Sequence, residues 1–175
     1  MTSAPLAPGD LAPAFALKAT DGTTVRLADL RGWKVVLYFY PKDDTPGCTK
    51  EACSFQAVLP KFTKIDAVVL GVSGDDVASH RRFAEKFHLT FPLLSDPDTA
   101  VCKAYGVYKQ KSMYGRTFWG IERTTVLIDE RGRILKIFPK VQVDGHDQEV
   151  LEALRSPTAP TRQQGETSGA SGRSS

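Results

Sequence analysis

Cysteine is scarce in this chain: three among 175 residues, Cys48, Cys53 and Cys102. An odd count at that density excludes a small domain stapled by disulfides. Long hydrophobic runs are missing too. None approaches the ~18 residues of a membrane-spanning helix, so no membrane partner is expected. The first residues, MTSAPLAPGDLAPAF, have neither a basic start nor a continuous apolar segment. No export signal is expected there, and the cytoplasm is the expected compartment. Charge of one sign is not in excess. The formal net charge is +3 and the basic residues are dispersed, which argues against nucleic acid as a partner. What is present is ordinary for a folded domain. With 41% hydrophobic and 25% charged residues, collagen, coiled coil and wholesale disorder are excluded, and one core is feasible.

The last large apolar residue is Leu154, and the stretch that follows is SPTAPTRQQGETSGASGRSS. It cannot bury enough surface to offset its ordering entropy. We therefore expect one domain over 1–155 and a disordered tail over 156–175. Within the domain, strands and helices alternate. Lys34–Tyr40 (KVVLYFY) and Ala67–Val72 (AVVLGV) are near-continuous apolar runs that suit strands buried on both faces. Thr49–Phe62 and Asp75–His88 carry apolar residues at helical spacing, with Asp75 or Ser73 as the N-cap of the second. Phe91–Leu94 reads as a short extended piece and Asp98–Tyr105 as a short helix. Thr124–Ile128 and Arg133–Phe138 flank Asp129-Glu130-Arg131-Gly132 and read as a hairpin. Asp144–Leu154 is the last helix. The order predicts an α/β fold of thioredoxin-like type, with a mixed central sheet flanked by helices.

The chemistry concentrates in Pro41–Cys53, PKDDTPGCTKEAC. This stretch runs from a strand end into a helix start, where α/β proteins gather their reactive groups. Pro46-Gly47 breaks the chain just ahead of the helix, so Cys48 falls in or next to its first turn. Unpaired N–H groups and the positive end of the helix dipole stabilise a thiolate there. Thiolate is the nucleophilic form of cysteine. The Thr45 hydroxyl can accept a hydrogen bond or donate one to a reacting oxygen. Pro41 restricts the chain's exit from the strand. A cation near the sulfur would stabilise the developing charge, but the residues alone do not choose between Arg116 and Arg123.

Pro41-x-x-x-Thr45-x-x-Cys48 resembles the active-site motif of the peroxiredoxins. YFYPKDDTPGCTKEAC, with GVSGDD, FPLLSD and KSMYGRTFWGIERTTVLIDERGRI further on, resembles their bacterioferritin comigratory, or Q-type, subfamily. The resemblance spans about Leu11 to Leu154. It implies that Cys48 attacks peroxide and becomes a sulfenic acid. Thr45 would hold the peroxide, Pro41 shield the thiolate, and Arg123 stabilise it and polarise the O–O bond. Cys53 would be the resolving cysteine. It further implies a peroxide substrate, thioredoxin or a similar dithiol as reductant, a monomer, and no metal, haem or flavin cofactor.

Cys48 and Cys53 are five residues apart. In an intact α-helix their Cα atoms would lie roughly 8.6 Å apart, beyond the ~4.4–6.8 Å of a disulfide. A bond between them requires the helix start to unwind. Other classes fare less well. Three cysteines cannot complete a four-thiolate metal or iron–sulfur site, and no histidine is near them in sequence. A protein disulfide oxidoreductase would space its pair as CxxC. A redox sensor would share the chemistry but lack efficient recycling. Cys102 is read as structural, and His80, His88 and His146 as solvated. Phe118 and Trp119 are read as packing, and Lys109–Lys111 as a solvated loop.

Overall fold

The computed structural model describes residues 5–155. The tail expected over 156–175 lies outside the described residues, as do residues 1–4. An interior strand, β3 (Lys34–Phe39), is buried along nearly its whole length. Its alternate side chains feed two cores. Val36, Tyr38 and Tyr40 enter one, and Val35, Leu37 and Phe39 the other. Parallel to β3 lies β4 (Ala67–Ser73), and parallel to β4 lies β5 (Leu93–Ser95). On the other side, β8 (Thr124–Ile128) and β9 (Ile134–Phe138) add antiparallel. The far edge is closed by β1 (Ala16–Ala19) and β2 (Thr24–Arg26). The seven-stranded sheet runs β2-β1-β5-β4-β3-β8-β9. A separate ribbon pairs β6 (Tyr108–Met113) with β7 (Arg116–Ile121).

Helices α1 (Pro46–Ala57), α2 (Leu59–Lys64), α3 (Val77–Phe87) and α5 (His146–Arg155) cover the Tyr38 face through Phe55, Phe62, Phe83 and Leu151. Helix α4 (Ala100–Ala104) places Cys102 in the opposite core. The mixed sheet flanked by helices matches the expectation. So does the β8–β9 hairpin, whose turn uses Gly132 at φ +83° and Asp129 accepting from the N–H groups of Arg131 and Arg133.

Several boundaries differ. The single helix expected over Thr49–Phe62 is two, because the Pro60 ring would meet the Gln56 carbonyl in a continuous helix. Asp76, not Asp75 or Ser73, caps α3, its side chain accepting from the Ser79 N–H at 2.8 Å. The extended piece at Phe91–Leu94 pairs only from Leu93, after Pro92, which has no N–H to give. Two hairpins went unread. The β1–β2 turn carries the signal Asp21-Gly22, with Gly22 at φ +87°. The β6–β7 turn places both Tyr114 and Gly115 at positive φ, a type I′ arrangement. Lys109–Lys111 is therefore strand, not loop. Phe118 and Trp119 are 43% and 59% exposed on β7 rather than packed in a core. Among the described residues, no helix is long and apolar enough to cross a membrane.

Candidate active site

Strand β3 lies inside the sheet, between β4 and β8, and Pro41–Thr45 leads from it into α1. Thr45 is the N-cap residue, extended at φ −98° and ψ 156°. Pro46 occupies the first turn, where a missing N–H costs nothing. Cys48 is the third residue of α1. By helix geometry the N–H groups of Gly47 and Cys48 have no intrahelical acceptor, and they face the end of the helix that favours negative charge. Cys48 is 1% exposed and its thiol is free.

The Arg123 guanidinium completes the site from 75 residues away, immediately before β8. Its Nη2 donates to Cys48 Sγ at 3.3 Å, and its Nη1 donates to Glu51 Oε1 at 2.6 Å. The arginine spans one face of the first helical turn, sulfur to carboxylate. Gly47 makes this approach possible: a Cβ there would lie 3.1 Å from Arg123 Nη2. Arg116, by contrast, is exposed near the tip of the β6–β7 ribbon.

Glu51 was missed by sequence reasoning. It is 1% exposed, and its second oxygen, Oε2, has no partner among the described residues. Burial lifts its carboxyl to about 7, against the pull of the Arg123 charge and hydrogen bond. For Arg123, burial acts downward, but Glu51 and Cys48 outweigh it and hold the guanidinium above its ordinary value. The signal available was spacing. Glu51 is three residues beyond Cys48 and so shares its helix face.

The Thr45 hydroxyl does not cap α1; it donates to the Lys42 carbonyl at 2.9 Å. Pro41 is exposed in the loop, whereas the sulfur it was expected to shield is buried. Cys53 lies on α1, half-buried, its thiol free, with the helix continuous between it and Cys48. Cys102 is fully buried, and burial with the neighbouring Asp96 pushes its thiol far up. Its inert reading agrees with this setting.

Two of the histidines are not solvated. His80 is 0% exposed and His146 is 2% exposed; His88 alone faces solvent. His146 opens α5, bonded to Thr125 Oγ1 at 2.7 Å and Glu149 Oε1 at 2.8 Å, with its ring edge-on to Phe55 and Phe138. Burial lowers its pKa and Glu149 opposes this.

A buried thiol at a helix start, bonded to a fixed guanidinium and preceded by a threonine at the N-cap, is equipped for nucleophilic attack on an electrophile that leaves as an anion. The sequence profile of the AhpC/TSA family matches residues 8–137. A Coxiella burnetii protein bearing the peroxiredoxin bcp name is 53% identical over 146 residues, 83% of this chain and 97% of its own. Peroxiredoxin Bcp of Bacillus subtilis is 46% identical over 147 residues, 84% and 94% of the two chains. Among solved structures, the Xanthomonas campestris bacterioferritin comigratory protein superposes with a TM-score of 0.78 at 46% identity, covering 81% of this chain and 90% of that one. That protein is described for its alkyl peroxide reduction activity and was trapped in intermediate and ligand complexes.

Proposed function

This chain belongs to the AhpC/TSA family, a peroxiredoxin of the Bcp type with a thioredoxin-like fold, and from that premise we propose a thiol peroxidase cycle run by Cys48 and Cys53. The observation that carries the reading is the 3.3 Å contact between Arg123 and Cys48 Sγ at the start of α1.

In the first step the Cys48 thiolate attacks the terminal oxygen of a hydroperoxide. An S–O bond forms and the O–O bond breaks. The cysteine loses two electrons and becomes a sulfenic acid, and the departing alkoxide or hydroxide takes a proton to leave as alcohol or water. Charge moves from sulfur toward the leaving oxygen, and Arg123 and the free N–H groups of the helix start lie where that charge spreads. The Thr45 hydroxyl, its proton committed to Lys42, accepts from the peroxide O–H and orients it. Pro41 narrows water's approach once peroxide is bound. Hydrogen peroxide and organic hydroperoxides are both substrates in this reading; the organic class rests on the activity described for the Xanthomonas protein.

In the second step Cys53 attacks the Cys48 sulfur. The S–S bond forms, the S–O bond breaks, and the hydroxyl leaves as water with the Cys53 proton. The pair sits within one continuous helix in the reduced form. Its Cα separation there, roughly 8.6 Å by helix geometry, exceeds disulfide reach, so the start of α1 unwinds between the two steps. In the third step thioredoxin or a similar dithiol reduces the bond and is itself oxidised. The enzyme works as a monomer in the cytoplasm, in antioxidant defence, from a single domain over 1–155. The unpaired thiols fit a reducing compartment.

The test is the intact mass of reduced protein after one equivalent of hydrogen peroxide, with peptide mapping. A loss of about 2 Da mapped to Cys48–Cys53 is expected. A gain of about 16 Da at Cys48 would remove Cys53 from the cycle. Multi-turnover activity in Cys48→Ser would overturn the assignment itself.

A further inference from the structure

Asp43 lies two residues ahead of Thr45, in the loop between β3 and α1, and is 7% exposed. A carboxylate that buried in a loop needs partners, and it has three, Tyr40 just past β3 and Ser79 and His80 on α3. The Tyr40 hydroxyl donates to Oδ1 at 2.6 Å. The Ser79 hydroxyl donates to Oδ2 at 2.8 Å, and His80 Nδ1 lies 2.7 Å from the same oxygen. His80 is fully buried, and its other nitrogen lies 3.0 Å from the Leu94 carbonyl on β5. Both ring nitrogens therefore face acceptors. The Asp43 N–H donates in turn to Asp75 Oδ2, which also takes the Ser73 hydroxyl. Burial pushes the Asp43 carboxyl up, but the bonds from His80, Tyr40 and Ser79 hold it below its ordinary value.

Asp43, Asp75 and His80 bring ligand-type atoms within 4.8 Å of one another. Each atom already has a partner within the protein, so the trio works as a bolt rather than a cation cage. The bolt joins the loop to β3, β4, α3 and β5. On its far side the ties are of a different kind. The Thr45 hydroxyl hangs on the Lys42 carbonyl, and the first turn of α1 is tied by the Thr49 N–H to Thr45, by Arg123 to Cys48 and Glu51, and by the exposed Lys50–Asp144 pair. Between the two, Asp44 sits at φ +58°, a left-handed position for a non-glycine residue.

We propose that Asp43, clamped by Tyr40, Ser79 and His80, is a positioning residue: the fixed point about which the first turn of α1 closes for attack on peroxide and opens for disulfide formation. The proposal rests on the cycle above. While the clamp holds, Thr45 and Cys48 keep the closed geometry in which peroxide reacts. A closed turn also keeps the sulfenic acid away from Cys53 and leaves it open to a second peroxide. In that side reaction the sulfenic sulfur gains an oxygen and becomes a sulfinic acid as the second peroxide is reduced. Loosening the clamp favours the open turn. It slows the first oxidation and diverts the sulfenic acid toward Cys53.

Asp43→Asn tests this directly, with Ser79→Ala and Tyr40→Phe as milder variants should the first fold poorly. Two quantities are read on reduced full-length protein: the rate of Cys48 oxidation by hydrogen peroxide, and the ratio of disulfide to sulfinic acid by mass as peroxide is raised. Asp43→Asn is expected to slow oxidation about tenfold, the loss a buried charge-assisted hydrogen bond typically produces. The peroxide needed for half sulfinic acid should rise by a similar factor, and the milder variants should move both quantities the same way. Folded variants with both quantities unchanged overturn the proposal. Slower oxidation at an unchanged product ratio overturns it as well, because that is damage to the site and not a shift of the turn. A wild-type protein that forms no Cys48–Cys53 disulfide would overturn the underlying cycle, and shows this without any variant.

Discussion

Replacing Glu51 with glutamine isolates the least ordinary ionisable group beside the cysteine. The amide keeps the size of the carboxyl and leaves an oxygen to accept from Arg123, but it cannot titrate. In the wild type, burial lifts Glu51 from 4.5 to about 7 despite the guanidinium at 2.6 Å. A shift of that size is worth about 3 kcal/mol between the two protonation states of the folded protein, relative to the unfolded chain. The folded state binds the proton more tightly. The stability this contributes is fully present below the unfolded value of 4.5, falls as pH rises, and is lost above about 7. Glu51→Gln escapes that loss. The assay is urea unfolding of both reduced proteins between pH 4.5 and 8. Over that window the variant should gain about 3 kcal/mol on the wild type. With a urea slope of about 2 kcal/mol/M, the gap between midpoints should change by about 1.5 M. The exchange of a neutral carboxyl for an amide adds an offset that does not vary with pH, and it drops out of the slope. Midpoints running parallel across the window would refute the reasoning, because they would mean that Glu51 titrates alike in both states.

Arg123→Ala removes the donor to Cys48 Sγ and should cut the rate of Cys48 oxidation by about 10²–10³, measured by stopped flow. Arg123→Lys should recover little of this, since one ammonium cannot span both the sulfur and Glu51. Gly47→Ala puts a methyl 3.1 Å from Arg123 Nη2, so kcat/KM should fall between about tenfold and 10²-fold with little change in Tm. Burial lowers the His146 pKa from 6.5, so its linked stability is full above that value and falls as pH drops through it; His146→Gln should flatten the fall in urea midpoint between pH 7.5 and 5. Gly71 faces Tyr38 across the parallel pair, and a Cβ there would lie 2.9 Å from Tyr38 Cζ and 3.0 Å from Leu93 Cδ2; Gly71→Ala should cost about 1–3 kcal/mol in chemical denaturation.

What the sequence disclosed and what it hid follow from the range of the forces involved. KVVLYFY announced a central strand because burial on both faces demands unbroken apolar character, and the structure buries it that way. Cys48 at a helix start was legible because Pro46 and Gly47 act on their immediate neighbours. Glu51 and His80 were not legible. Each is polar on a helix and so reads as solvent-facing, yet each is buried because a partner arrives from elsewhere in the chain: Arg123 for the first, Asp43 for the second. A trace of both was present in the spacing. His80 precedes Phe83, Ala84 and Phe87 by three, four and seven residues, which places it on the apolar face of α3. A polar residue inside such a stripe is either an error of the fold or a sign that another element brings a partner. The same logic reaches the active site. Arg123 was identifiable only through resemblance, because no local rule connects two residues 75 positions apart. The sheet makes that connection. Antiparallel pairing of β8 with β3 sets Thr124 opposite Phe39, so the residue before β8 emerges at the same edge from which β3 feeds the cysteine loop. The arginine reaches the sulfur because strand register fixes where its backbone must begin.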